Sequence, residues 1–162
     1  MNYVQEYSVL IITLSDRAFR GEYEDLSGPR VKQKLEEFAG TMGWNCRTDM
    51  TLLPDDPEKL RDTVTDASDS YDLIFTTGGT GIGPRDFTVD VIKPLLAKEL
   101  PGIMDFIRLK YAFEKPNALL SRAVAGVAGR SLVYTLPGSV RAVEEYMTEI
   151  LRTLEHTLLM LK

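Results

Sequence analysis

The 162-residue sequence has a single cysteine and a single histidine. One cysteine leaves no internal disulfide and no cysteine-rich metal site. Cys46 lies among residues typical of a strand, so we expect it to be a small buried hydrophobe. His156 falls within the amphipathic pattern of the last helix, where it needs no special role. These scarcities argue against thiol–imidazole catalysis and zinc hydrolysis. They leave carboxylates, hydroxyls, arginines, backbone amides and a hard cation.

Long apolar runs and a strong positive charge are also missing. No apolar run approaches the ~20 residues that a membrane-spanning helix needs, so we expect no contact with a membrane. Residues 1–6 have neither the basic start nor the apolar core of a signal peptide, which favours the cytosol. A net charge of −5 argues against nucleic acid as a partner. Without repeats or a linker, residues 1–162 are expected to form a single domain.

The most informative stretch is an apolar run that ends in a glycine-rich turn. It runs from Leu73 through Thr76 and ends with Thr77, Gly78, Gly79, Thr80 and Gly81. Glycines let the backbone approach a ligand closely, and their amides can point at an anion. A plain turn is the alternative, but the ordered succession of strand, threonines, glycines and an Arg-Asp pair favours a phosphate-binding loop. Neither the Walker pattern nor the dinucleotide spacing fits.

Alternating apolar runs and amphipathic segments predict the fold class. Strands are predicted at 9–14, 46–53 and 72–76, helices at 29–38, 57–67, 89–96 and 102–113, a β-hairpin at 123–136, and a last helix at 140–161. This order is typical of a three-layer α/β fold with a mostly parallel sheet flanked by helices. The hairpin, turning at residues 129–130, would lie at the sheet edge in the C-terminal third.

Two aspartates follow predicted strands. Asp56 precedes Pro57 and fits a helix cap, which leaves Asp55 without a structural duty. Asp86 follows the glycine loop and could itself be a cap for the next helix. Two carboxylates that converge on a phosphate loop suit Mg²⁺, which takes oxygen ligands and shares them with substrate phosphates. As a pair, Asp55 and Asp86 favour a magnesium site over two helix caps.

Three further segments are expected to reach the same edge of the sheet or to flank it. They are Ser15-Asp16-Arg17 after the first strand, Ser121-Arg122 before the hairpin, and Pro137-Gly138-Ser139 before the last helix. Ligands bind at the carboxyl ends of strands in open α/β sheets, which favours a site role for the first segment. Ser139 could be only an N-cap, although a helix start can also bind an anion. Glu22 and Glu24 are interpreted as solvated loop residues.

Together these segments resemble the molybdenum-cofactor biosynthesis proteins of the Mog and MoaB type, whose domain also occurs in gephyrin. The resemblance covers nearly the whole chain. It rests on LSDR at 14–17, DLSG at 25–28, LPD at 53–55, TTGGTG at 76–81, RDFT at 85–88, LPG at 100–102, LSRA at 120–123 and LPGS at 136–139. A glycine loop alone would be weak evidence, whereas this ordered set is specific.

The resemblance implies a function. In the Mog branch, ATP and Mg²⁺ are used to adenylylate the terminal phosphate of molybdopterin, with release of pyrophosphate. It implies that Asp55 and Asp86 are catalytic and hold Mg²⁺. The residues implied to bind molybdopterin or phosphate are Ser15, Asp16, Arg17, Thr77, Gly78, Gly79, Thr80, Gly81, Ser121, Arg122, Pro137, Gly138 and Ser139. A cytoplasmic homotrimer is implied too, with other molybdenum-cofactor enzymes as further partners.

The resemblance leaves two subfamilies open. The RDFT segment and the Ser-Asp-Arg loop favour the Mog branch and therefore an adenylyltransferase. Mog sequences usually continue the last turn as Pro-Gly-x-Pro-Lys, whereas this chain has Val140 and Arg141 there. The segment at 121–127 is also similar to MoaB. The alternative is a MoaB-like molybdopterin-binding or scaffold protein without adenylyltransferase turnover.

Overall fold

A six-stranded mixed sheet forms the centre of the protein, for which a computed structural model describes residues 3–162. The strands are β1 (Glu6–Leu14), β2 (Asn45–Leu53), β3 (Leu73–Thr77), β4 (Lys98–Glu99), β5 (Ala125–Ala128) and β6 (Ser131–Leu136), in the order β2-β1-β3-β6-β5-β4. Strand pairs β1–β2, β1–β3 and β3–β6 are parallel, whereas β5 runs antiparallel to both β6 and β4. The mostly parallel sheet and its hairpin are thus confirmed.

Helices cover both faces of this sheet. They are α1 (Asp16–Phe19), α2 (Ser27–Met42), α3 (Pro57–Ala67), α4 (Thr88–Ile92), α5 (Pro101–Ala112) and α6 (Val140–Met160), with 3-10 turns at Lys93–Leu95 and Pro116–Leu120. Within residues 3–162, no helix combines the length and apolarity needed to cross a bilayer. Met1 and Asn2, which begin the segment used to predict the cytosol, lie outside the described residues.

Two hydrophobic cores follow from the alternation of side chains along the central strands. On β1, Val9 and Ile11 face the core under α2, α5 and α6, whereas Leu10 and Ile12 face the core under α3 and α4. All four side chains are buried. Successive residues of a strand point to opposite faces, so a strand buried on both faces reads as a continuous apolar run. The three-layer α/β fold predicted from the sequence is confirmed.

The segment between the glycine loop and α5 differs from the prediction. A single helix was expected at 89–96, but α4 ends at Ile92 and a 3-10 turn containing Pro94 follows. Proline lacks an N–H and cannot continue a helix without losing a hydrogen bond. The chain then pairs with β5 through Ala97 N–H to Val127 O and Leu100 N–H to Ala125 O, each at 2.7 Å. The resulting two-residue strand β4 forms the edge of the sheet. The β5–β6 hairpin, which was predicted at the edge, therefore lies between β3 and β4.

The other edge of the sheet explains a second difference. Cys46 was expected to be buried, but it is only half-buried because β2 is an edge strand that pairs with β1 alone. Partial burial still raises the pKa of the Cys46 thiol, with smaller contributions from Glu36 and Asp72. Nothing in this environment activates the thiol.

The direction in which strands are added to the sheet changes between β1 and β3. The connection after β1 leads to β2 on one side, whereas the connections after β3 lead to β6 on the other side, so the loops that follow β1 and β3 lead away from each other. Such a switch point leaves a crevice at the carboxyl edge of an open α/β sheet, where ligands bind. The loops after β1, β2, β3 and β6 all reach this edge.

Candidate active site

A cleft of about 560 Å³ occupies the carboxyl edge of the sheet. Its lining comes from the loops after β1, β2, β3 and β6. From the predicted set it contains Ser15, Asp16, Arg17, Asp55, Gly79, Asp86 and Gly138. Thr77, Gly78, Thr80, Gly81, Ser121, Arg122, Pro137 and Ser139 are not part of the lining. The structure therefore brings together both predicted catalytic aspartates, one loop glycine and the β1 loop.

The glycine loop is held by its own backbone. Gly78 has a φ of +97° and donates its N–H to Leu136 O at 2.9 Å, which ties β3 to β6. Gly79 has a φ of +71°, and a Cβ built there would lie only 2.2 Å from the Thr88 hydroxyl. That hydroxyl donates to Gly78 O at 2.8 Å. Only glycine suits both the left-handed backbone and this close approach.

Several loop amides remain for a ligand. The N–H of Gly78 is taken by Leu136, but within residues 3–162 the amides of Gly79, Thr80 and Gly81 have no backbone acceptor. Consecutive amides in such a turn form a concave site for an anion. Of the five residues predicted as the phosphate loop, Thr77 is buried and its hydroxyl lies 2.9 Å from that of Ser27. Thr77 thus joins β3 to α2, and Thr80 is likewise buried.

Asp55 and Asp16 bind each other's backbone across the cleft floor. The Asp55 N–H donates to Asp16 Oδ1 at 2.8 Å, and the Asp16 N–H donates to Asp55 Oδ2 at 3.3 Å. Burial raises the pKa of the Asp55 carboxyl, and the negative charge of Asp86 raises it further. Asp56 caps α3 by accepting from the N–H groups of Glu58 and Lys59, as predicted. Asp55 is thereby left to the cleft.

Asp86 is not a helix cap. The residue at the N-cap of α4 is Phe87, which makes no side-chain capping hydrogen bond. Asp86 instead turns back to the glycine loop, where its Oδ2 accepts from Gly83 N–H at 2.9 Å. A Cβ on Gly81 would lie 2.7 Å from the same oxygen, so the carboxylate lies tightly against the loop. The capping alternative is wrong for Asp86.

The acidic groups of the cleft suit a Mg²⁺ ion that is shared with a bound ligand. They do not suit a metal site made of protein ligands alone. Within residues 3–162 no cluster of three or more histidine, cysteine or acidic side chains could hold a metal. Asp55 and Asp86 are nevertheless close enough for the charge of one to raise the pKa of the other. Mg²⁺ is usually bound by one or two carboxylates, with substrate phosphates and water completing its octahedron. The donor set therefore fits Mg²⁺ brought in with a polyphosphate.

Arginines at the cleft rim carry the opposite charge. Arg85 forms an ion pair with Asp16, linking the segment after the glycine loop to the loop after β1. Arg17 lies 3.4 Å from Glu22, and its guanidinium lies over the ring of Tyr23 at 5.1 Å. The side chains of Arg85 and Arg17 are 70% and 69% exposed, respectively. Exposed ion pairs are weak, so these arginines can turn to an anionic ligand at small cost.

The predicted serines at helix starts do act as caps. Ser15 accepts from Ala18 N–H at 3.2 Å at the start of α1, and its hydroxyl lies 2.7 Å from that of Tyr23. Ser139 accepts from Ala142 N–H at 3.1 Å at the start of α6. Of the two residues before Ser139 in this turn, Gly138 lines the cleft and Pro137 does not. The cap interpretation of Ser139 is confirmed; a direct ligand contact by Ser15 stays a prediction.

Ser121 and Arg122 lie behind the glycine loop and outside the cleft. The Ser121 hydroxyl accepts from Tyr146 at 3.0 Å. The Arg122 guanidinium forms a bidentate pair with Asp90 and also binds backbone carbonyls of the loop. Asp90 raises the pKa of Arg122, and the pKa of the Asp90 carboxyl is correspondingly lowered. With its donors engaged by the protein, Arg122 does not present a charge to the cleft.

Sequence reasoning missed a structural carboxylate at the cleft wall. Asp25 accepts from Ser27 N–H at 3.1 Å and Gly28 N–H at 3.2 Å, and it also accepts from the Thr13 hydroxyl at 2.8 Å. It therefore caps α2 from two residues upstream and anchors the β1 loop to the sheet. The sequence signal was an aspartate directly before a serine-glycine helix start. Other lining residues not predicted include Thr13, Arg20, Tyr23, Leu26, Ser27, Arg85 and Val140.

Comparison with known proteins places this chain in a family. Residues 10–156 match the family model described as a probable molybdopterin binding domain. The protein belongs to the Mog/MoaB family of molybdenum-cofactor biosynthesis proteins. It is 32% identical over 149 residues to the molybdopterin adenylyltransferase of Helicobacter pylori strain J99, covering 91% of this chain and 83% of that protein. The family and fold predicted from the sequence are confirmed.

Other relatives in the Mog/MoaB family carry different names. The chain is 39% identical over 145 residues to molybdenum cofactor biosynthesis protein B of Staphylococcus carnosus, covering 88% of this chain and 82% of that protein. It is 37% identical to gephyrin of Dictyostelium discoideum over 95% of the chain, yet spans only 22% of gephyrin. The solved Mog protein of Mycobacterium ulcerans superposes with a TM-score of 0.87 at 33% identity, covering 96% and 99% of the two chains. Mog-type and MoaB-type relatives are therefore similarly close.

Proposed function

We propose that this Mog/MoaB family protein is a molybdopterin adenylyltransferase. It would transfer the adenylyl group of ATP to the terminal phosphate of molybdopterin and release pyrophosphate. The observation that carries this proposal is the pairing of Asp55 and Asp86 beside the glycine loop. Burial and the charge of Asp86 raise the pKa of Asp55, so a cation between the two carboxylates would stabilise their charged forms, and Mg²⁺ bound to a polyphosphate would supply it.

The chain's own residues supply positioning and electrostatic stabilisation. The amide of Gly79 would receive a phosphate, while Arg17 and Arg85 neutralise charge from the rim. Asp55 and Asp86 would hold Mg²⁺, which supplies charge neutralisation on the triphosphate when bound. A phosphate monoester is already ionised near neutral pH, so attack on the α-phosphorus requires no histidine base. Such catalysis depends on holding two anions in line in a site that is already organised.

A second candidate is a MoaB-like molybdopterin-binding or scaffold protein without turnover. Its support is the identity to the Staphylococcus carnosus protein B, which is higher than that to the Helicobacter pylori adenylyltransferase. The turn before α6 also lacks the proline and lysine usual in the Mog branch, with Val140 and Arg141 in their place. The presence of both Asp55 and Asp86 in the cleft favours the enzyme.

Assembly into a homotrimer stays a prediction that rests on the resemblance. Its structural support is a set of apolar side chains that are exposed on α5 and directly after its C-terminal end. Phe113 is 85% exposed, and Phe106 and Leu109 are also exposed, whereas Tyr146 is buried in the core. Light scattering at micromolar protein concentration should give the mass of a trimer; a monomer mass would refute the assembly.

An assay for pyrophosphate separates the two functions. Purified protein is mixed with Mg-ATP, with and without molybdopterin, and pyrophosphate is measured over time. The adenylyltransferase predicts pyrophosphate only when molybdopterin is present. The scaffold predicts that molybdopterin binds without any pyrophosphate. Release that is independent of molybdopterin would instead indicate an ATP pyrophosphohydrolase and would contradict both functions.

A further inference from the structure

Arg122 donates three hydrogen bonds to backbone carbonyls of one short loop. Its backbone N–H donates to Thr80 O at 2.8 Å, its Nε donates to Gly81 O at 2.8 Å, and one terminal nitrogen donates to Asp86 O at 3.0 Å. These acceptors mark the start and the end of the segment 80–86. A single residue therefore fixes both ends of the segment that carries the Asp86 carboxylate.

Asp90 holds the arginine in this orientation. Its two carboxylate oxygens accept from the two terminal nitrogens of Arg122, at 2.9 and 3.0 Å. This is the bidentate geometry that a planar guanidinium favours and that an ammonium group cannot reproduce. Asp90 lies on α4 and its side chain is 61% exposed. Neither Arg122 nor Asp90 lines the cleft.

We propose that Arg122, held by Asp90, is a positioning residue that sets the place of the Asp86 carboxylate through the backbone of residues 80–86. The inference rests on the proposed adenylyl transfer. Its chemistry differs from the phosphate contact that the resemblance implies for Arg122. Asp86 reaches the cleft at the end of this segment, which contains Gly81 and Gly83 and is exposed at residues 82–85. Such a backbone needs an external support to hold a charged group steadily, and misplacement by about 1 Å can cost a hundredfold in rate.

The two roles of Arg122 predict opposite behaviour at Asp90. If Arg122 bound a substrate phosphate, Asp90 would compete with that phosphate, and Asp90→Ala would lower the KM for ATP and leave kcat unchanged. If Arg122 positions the loop, removing Asp90 loosens the arginine, and kcat falls while the KM for ATP stays the same. Asp90 therefore separates the roles without any change to a residue of the cleft.

The test uses kinetics and hydrogen exchange on Arg122→Lys, Arg122→Gln and Asp90→Ala. Arg130→Gln is the matched control, because Arg130 pairs with Asp72 at the opposite end of the sheet. For Arg122→Gln we expect kcat to fall about tenfold to a hundredfold at unchanged KM for ATP. Arg122→Lys should not rescue it, and Asp90→Ala should fall in the same direction. Peptides covering 80–86 should exchange faster in the ligand-free variants, and Arg130→Gln should match the wild type in both readouts.

If Arg122→Gln raises the KM for ATP at unchanged kcat, with normal hydrogen exchange at 80–86, the proposal is overturned in favour of a phosphate contact. Loss of rate with normal exchange at 80–86 would overturn it as well, and so would full rescue by lysine. If Arg122→Gln does not fold, Asp90→Ala decides, since its exposed side chain can be removed from α4 with little disturbance. If the wild type shows no turnover, the proposed function fails, and exchange at 80–86 alone then supports or refutes the loop support.

Discussion

Replacing Asp86 by asparagine separates the charge of this side chain from its contact with the glycine loop. Asp86 Oδ2 accepts from Gly83 N–H at 2.9 Å, and an asparagine oxygen can accept the same bond. A hydrogen bond to a charged group contributes about 1.5–3 kcal/mol and a neutral one about 0.5–1.5 kcal/mol, so this exchange should cost only about 1 kcal/mol. For a chain of 162 residues this corresponds to a fall in melting temperature of a few degrees, roughly 2–4 °C per kcal/mol. Stability should therefore change little.

The effect on turnover should be much larger. Asp86 would help to hold Mg²⁺ on the triphosphate as pyrophosphate leaves. Loss of one preorganised group that stabilises the transition state costs roughly 2.7–4 kcal/mol, or 10²- to 10³-fold in rate. Molybdopterin should still bind, because its contacts would come mainly from backbone amides and hydroxyls. Removing the Asp86 charge also removes one cause of the raised pKa of Asp55, so that pKa should fall towards its ordinary value.

The assay combines turnover, thermal melting and a carboxyl titration by NMR on the same Asp86→Asn sample. Asp86→Ala serves as the comparison, since it removes both the charge and the contact with Gly83. The double variant with Asp55→Asn should lose less than the sum of the single losses if both residues serve one cation. Normal adenylylation by Asp86→Asn, with or without a lower melting temperature, would refute the metal-site reasoning.

Three further variants test separate parts of the site. Burial and the charge of Asp86 raise the pKa of Asp55, so the folded state binds the Asp55 proton more tightly than the unfolded state and loses stability as pH rises through that pKa. Without metal, Asp55→Asn should therefore melt at a higher temperature than the wild type at pH 7. In a series of melts at different pH values, this difference should vanish below about pH 3.9. Gly79→Ala forces a side chain into a left-handed backbone 2.2 Å from the Thr88 hydroxyl, so it should weaken Mg-ATP binding in calorimetry and lower the melting temperature. Asp25→Ala removes the cap of α2 and should cost about 1–2 kcal/mol in urea denaturation. An unchanged midpoint in any of these would contradict the corresponding contact.

The sheet and most helices could be predicted because their signals are local. Buried parallel strands appear as continuous apolar runs, and β1 and β3 both do so. The cap at Asp56 was also evident from the proline that follows it. By contrast, β4 has two residues and only gains its identity from backbone pairing with β5. No periodicity exists in a segment that short, so the sequence predicted no strand between the helices expected at 89–96 and 102–113.

The cleft was predictable to the extent that strand ends carry it. Asp55, Asp86 and Gly79 meet because they follow strands that end at one edge of the sheet. What the sequence did not indicate is the direction in which a loop side chain points. Arg122 was predicted to bind molybdopterin or phosphate, yet its guanidinium turns to Asp90 and to carbonyl groups. That choice depends on contacts 32 to 41 residues away along the chain, which no local pattern reports.

The most direct measurement of the central claim follows the α-phosphorus of ATP. Purified protein, Mg²⁺, molybdopterin and ATP labelled at the α-phosphate are incubated, and the product is separated and counted. Adenylyl transfer predicts label in a molybdopterin adduct, in a one-to-one ratio with pyrophosphate, and loss of both in Asp86→Asn. Bound molybdopterin that never acquires the label would contradict the account and assign the protein to binding without turnover.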